Sequence, residues 1–139
     1  MSAEGFSGLG FGQAEQPEQL PTLVLAYVGD AVYELAVRSL LVAGGRIKVG
    51  KLHQEAVGYV NASAQAEALR VLDGRLTEQE TAVVRRGRNA KSAHTPRRTA
   101  VMDYRRSTAL ECLLGYLFLK GDGARLEEIL RITLEREKA

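Results

Sequence analysis

Two acids stand in apolar surroundings: Asp30 within LAYVGDAVYEL (residues 25–35) and Glu111 within YRRSTALECLLGYLFL (residues 104–119). A carboxylate in such a setting is expensive unless it is hydrated, paired or bound to a cation. Each has a glycine close by, Gly29 directly before Asp30 and Gly115 one turn after Glu111, although a glycine costs a helix interior about 1 kcal/mol relative to alanine. Two readings follow. In one, Asp30, Glu34 and Arg38, spaced i, i+4 and i+8, are the polar stripe of a mostly buried helix, and periodicity taken alone favours this. In the other, the glycines let two helices pack closely and bring Asp30 and Glu111 together. Paired carboxylates repel unless a hard cation sits between them, and oxygen ligands of this kind suit Mg²⁺, which would activate water.

The charge distribution points to the substrate class. The chain carries a formal net charge of +2, yet residues 85–106 hold eight Lys/Arg against one acid, leaving the remainder net negative. Arginines and Lys91 spaced by small polar residues suit the phosphates of a polyanion, the alternative being a solvated charge run that binds nothing specific. No aromatic is interleaved over 85–98, which disfavours a stacking platform for single strands and favours a duplex read by its backbone shape.

Other motifs fall away. Gly45 to Leu52 nearly spells a phosphate-binding loop, but Leu52 replaces the Ser/Thr that would hold Mg²⁺ and the stretch follows a helix rather than a strand. Gly8, Gly10 and Gly12 lack a preceding strand and dinucleotide spacing. His53 and His94 have no histidine partner one turn away and there is no serine elbow, which argues against a metalloprotease or serine hydrolase. His94 is a further candidate for phosphate contact, and His53 for packing.

The elements that must position Asp30 and Glu111 are helical throughout. At 139 residues the chain is one domain's worth, and its 45% hydrophobic and 26% charged composition is that of a globular protein without a membrane span. Residues 1–19, with four glycines and no positive charge, read as a flexible tail lacking the features of a secretory signal. With a lone Cys112 and no zinc spacing, this points to the cytoplasm. Apolar residues recur at helical spacing and no segment alternates like a strand, so an all-α domain over 20–139 is expected. Helices are expected over about 21–42, 49–59, 63–72 (capped by Ser63 and stopped at Gly74), 77–88, 101–119 and 124–137. The fourth opens on a Thr77/Glu80 capping box. Residues 89–98, with Pro96, read as a surface loop.

LAYVGDAVYEL, RRGRNAKSAHTP and YRRSTALECLLGYLFL together resemble the ribonuclease III family and its small mini-ribonuclease III branch, over about Leu20 to Glu128. The resemblance implies an all-helical endonuclease domain, working as a homodimer, that cuts both strands of double-stranded RNA with Mg²⁺. In the mini branch it implies precursor ribosomal RNA of the large subunit (23S) as substrate. Asp30 matches the signature aspartate and Glu111 the second acidic motif, while further acids of larger members correspond to Ala26 and Thr108. By this resemblance to the mini branch, the double-stranded-RNA-binding domain of larger members is expected to be lacking. Asp30 and Glu111 are therefore the expected catalytic metal ligands, with Glu34 and Thr108 positioning them. Arg85, Arg86, Arg88, Asn89, Lys91, Arg97 and Arg98 are the expected RNA contacts. The rivals are a non-catalytic double-stranded RNA-binding module of the same fold and a helical adaptor for an acidic protein.

Overall fold

The computed structural model describes residues 13–45, 47–90 and 101–135. They form six α-helices and one short 3₁₀ turn, with no strand among the described residues, as the apolar periodicity demands: α1 Thr22–Ala43, α2 Val49–Val60, α3 Ala62–Arg70, α4 Glu78–Asn89, α5 Val101–Lys120 and α6 Gly123–Leu134. Among the described residues, no helix is long and apolar enough to cross a membrane.

The architecture is organised around α5. From Ser107 to Phe118 every residue except Glu111 is buried, so this helix is enclosed on all sides, which explains why it is apolar all round. Leu110, Leu113, Leu114 and Leu117 are essentially fully buried, each stabilising the fold by roughly 1.5–3 kcal/mol. Helix α1 packs along α5, and α3 and α4 pack on it as well. At the α4 crossing, a Cβ on Gly87 would lie 2.7 Å from Ala109 Cα, so only glycine lets α4 come this near.

Helix ends follow local chemistry, with two corrections. The Thr77/Glu80 capping box is present in both directions. Helix α3, however, is capped by Asn61 and not by Ser63: the Asn61 side chain accepts from the Ala64 amide at 2.8 Å. Asn61 closes α2 and opens α3 in one extended residue, so the chain turns two residues earlier than expected. The helix then ends at Arg70, ahead of a turn that reaches Gly74 at φ +78°. Helix α6 likewise starts one residue early, because the Asp122 carboxylate accepts from the Arg125 amide at 3.1 Å.

Within the expected N-terminal tail, residues 13–19 lie against the domain. The Ala14 amide donates to Leu119 O at 2.8 Å, Pro17 is buried, and Pro17–Gln19 forms the 3₁₀ turn. Residues 1–12 lie outside the described residues.

A buried ion pair braces α4 against α6. Glu80 is 4% exposed, and its carboxylate accepts from Arg125 Nη2 at 2.7 Å and Nε at 2.8 Å. The same guanidinium also donates to Arg75 O at 2.8 Å, and the Arg125 bonds hold Glu80 below the usual carboxylate range.

Candidate active site

The two glycines flagged in the sequence face one another where α1 crosses α5. A Cβ on Gly29 would lie 1.7 Å from Glu111 O, and one on Gly115 would lie 2.0 Å from Leu25 O. Backbone meets backbone at this crossing, and no side chain fits on either helix there. The residues bordering the contact are Asp30 on α1 and Glu111 on α5, so the crossing itself brings their carboxyls side by side.

The pair is unequal. Asp30 is exposed, whereas Glu111 is half-buried. Burial, then the neighbouring Asp30 charge, pushes the Glu111 carboxyl up to about 8. At neutral pH the Glu111 carboxyl therefore favours its protonated form. Among the described residues no group of three or more His, Cys, Asp or Glu gathers in metal-binding proximity. Two carboxylates fit Mg²⁺, which keeps several waters and is commonly held through one or two carboxylates. They do not make an all-protein cage. Asp30 and Glu111 could hold such an ion, and a divalent charge there would displace the Glu111 proton.

The surroundings of the pair are sorted by their hydrogen bonds. Glu34 pairs with Arg38 at 3.1 Å on the exposed side of α1, so the polar-stripe reading holds for these two residues while Asp30 turns to Glu111. The Thr108 hydroxyl donates to Tyr104 O at 3.0 Å within α5, and Ala26 is buried. The Cys112 thiol is buried, bonds to Thr22 O and is pushed up to about 12 by its burial, so it is no nucleophile.

Gln65 is the residue that sequence reading missed. It is 2% exposed, its Nε2 donates to Glu111 Oε2 at 3.4 Å, and its Oε1 accepts from the Ser107 hydroxyl. The available signal was positional: in the alanine-rich α3, Gln65 shares the inward face with Leu69, where an apolar residue belongs.

The basic candidates divide in the same way. Arg85, Arg88 and Asn89 are exposed at the end of α4. Arg86 is spent internally, donating to Glu18 O at 2.6 Å, Leu20 O at 2.9 Å and Thr22 Oγ1 at 3.2 Å. Lys91, Arg97, Arg98 and His94 lie outside the described residues. A groove of about 550 Å³ between α3, α4 and the start of α5 is walled by Arg70, Arg88 and Arg106 together with Glu67, Asp73 and Asp103. Its lining includes neither Asp30 nor Glu111, so the carboxyl pair is separate from it.

Comparisons with known proteins identify the family and the fold. Residues 23–122 match the family model described as Ribonuclease III domain. The chain is 50% identical over 119 residues to Mini-ribonuclease 3 of Symbiobacterium thermophilum, covering 86% of this chain and 92% of that protein. It is 47% identical over 116 residues to Mini-ribonuclease 3 of Thermoanaerobacter sp., covering 84% and 82% respectively. A crystal structure of a protein from Fusobacterium nucleatum superposes with a TM-score of 0.77 at 27% identity, over 88% of this chain and 98% of that one.

Proposed function

The chain belongs to the ribonuclease III family, in its mini-ribonuclease III branch, and is an endoribonuclease; on that premise we propose that it cuts double-stranded RNA with Mg²⁺ held by Asp30 and Glu111. The observation that carries this reading is the Gly29/Gly115 crossing, which sets an exposed carboxylate beside a half-buried one, with no cationic side chain of the described residues paired to either. When bound, Mg²⁺ supplies charge neutralisation at the scissile phosphate and acidifies water in its coordination sphere. The attacking group is water, because the side-chain nucleophiles near the pair are engaged elsewhere: Ser107 donates to Gln65, Thr108 to Tyr104 O, and Cys112 to Thr22 O. The phosphodiester bond breaks as the water oxygen joins phosphorus, and the departing ribose oxygen takes a proton.

The catalytic region spans residues 20–139, with Arg85, Arg88 and Asn89 contacting RNA phosphates together with Lys91, Arg97 and Arg98. Arg86 acts on this surface indirectly, by anchoring residues 18–22. Glu34 and Thr108 sit one turn from the pair and help to orient it. The substrate is precursor 23S ribosomal RNA, met in the cytoplasm.

Two copies act together. Leu23, Tyr27 and Leu35 recur at four- and eight-residue spacing on α1 and are 45%, 81% and 49% exposed. An aligned apolar stripe of this kind supports a second copy of the chain as its cover. A two-fold dimer gives two carboxyl pairs, one for each RNA strand.

The test is digestion of duplex RNA with and without Mg²⁺. Asp30→Asn and Glu111→Gln abolish cutting and leave duplex binding within a few-fold, and full activity in either variant overturns the metal-site assignment.

A further inference from the structure

Gln65 occupies a place where a polar side chain is unfavourable. It is almost completely buried on α3, and a buried amide left unsatisfied costs about 1–3 kcal/mol. Both of its ends are satisfied, and their order is set. The Ser107 hydroxyl donates to Oε1, which turns Nε2 toward Glu111 Oε2 at 3.4 Å. Ser107 and Glu111 lie four residues apart on α5, hence on one face of that helix. The amide of α3 therefore bridges two positions of α5, one a plain hydroxyl and the other an acid of the carboxyl pair. An apolar residue at 65 would pack the α3–α5 contact without any need for Ser107, so the polar choice is explained by what the amide does to Glu111.

We infer that Gln65 is a positioning residue of this enzyme: oriented by Ser107, its side-chain amide aims the Glu111 carboxylate so that Glu111 and Asp30 share one divalent cation. The inference rests on the assignment of Asp30 and Glu111 as the metal-holding pair. Gln65 and Ser107 themselves touch neither RNA nor cation. Their effect passes through Glu111, as partners that orient a ligand commonly change metal affinity or activity by about 10–100-fold.

The deciding experiment measures Mn²⁺ affinity of the RNA-free protein by electron paramagnetic resonance, together with kcat and KM on duplex RNA. Gln65→Leu weakens Mn²⁺ binding and lowers kcat by at least about 10-fold, and KM for RNA stays within about twofold. Ser107→Ala, a one-atom deletion that spares the fold, acts in the same direction to a smaller extent, and Ser107→Thr restores what alanine removes because it keeps the hydroxyl. Unchanged Mn²⁺ affinity and kcat in Ser107→Ala and Gln65→Leu, with only a lower melting temperature, overturns the inference, as does failure of threonine to rescue. Asp30→Asn separates the two levels. Intact Mn²⁺ binding and cutting in that variant sinks the metal site itself, whereas their loss in Asp30→Asn alongside normal Gln65 and Ser107 variants sinks only the role of Gln65.

Discussion

Glu80 and Glu111 are both acids withdrawn from water in one helical domain, and they are treated in opposite ways. Glu80 meets a bidentate guanidinium from Arg125 and caps its own helix, so burial leaves it ionised and holds its carboxyl low. Glu111 meets another acid and a neutral amide, so burial pushes its carboxyl to about 8. Among the described residues Glu80 has a cationic partner and Glu111 has none. A strongly shifted acid with no cationic partner among the described residues is a candidate functional group, whereas an acid paired to an arginine is accounted for by the fold.

The contrast is testable, beginning with activity. Asp30→Asn or Glu111→Gln lowers duplex cleavage by at least about 100-fold, since a divalent ion contributes several kcal/mol to the transition state. Arg125→Ala, by contrast, leaves the specific activity of folded protein near normal in a cleavage assay below the melting transition. Loss of activity there comparable to that of Asp30→Asn would erase the distinction between the two acids.

Stability should respond in the reverse sense. Arg125→Ala strands Glu80 in the core and costs about 3 kcal/mol, measurable by urea unfolding. Gly29→Ala forces α1 from α5, because its Cβ would overlap Glu111 O; it costs about 3 kcal/mol or more and removes cleavage as well. Glu111→Gln raises the melting temperature of the metal-free protein at pH 8, by on the order of 5 °C.

The pH dependence separates the acids by sign. Glu80 is depressed in the folded state, so its contribution is present above the ordinary carboxylate value of 4.5 and is lost as pH falls through its lower folded value. Glu111 is raised, so the folded chain keeps a proton that the unfolded chain releases, and metal-free stability declines as pH rises from 4.5 to about 8. Melting curves in a chelator should show this decline in the native chain and a flatter profile in Glu111→Gln. Saturating Mg²⁺ should reduce the decline by binding the ionised pair.

The smallest effect repeats the contrast among arginines. Replacing Arg85 and Arg88 with alanine should weaken duplex binding and reduce the slope of log affinity against log salt by about 1–2, with little change in melting temperature. Arg86→Ala should lower melting temperature through residues 18–22 and change the salt slope less. Equal salt slopes for both variants would place the RNA elsewhere.

Much of this was legible along the chain. Helical periodicity determined six helices and the absence of strands among the described residues, and the Thr77/Glu80 box marked the start of α4 because its partners are three residues apart. Gly29, Asp30, Glu111 and Gly115 stood out as individually unfavourable choices in apolar helices. The family resemblance of their motifs added what periodicity could not, namely that the two helices meet. Tertiary structure decided the rest. Gln65 reaches Glu111 across 46 positions, Arg125 reaches Glu80 across 45, and Arg86 reaches Glu18 across 68. Local patterning reports which face of a helix is buried and is blind to what that face is buried against. Whether a buried acid is neutralised by an arginine or left beside another acid is set by which helices the fold brings together.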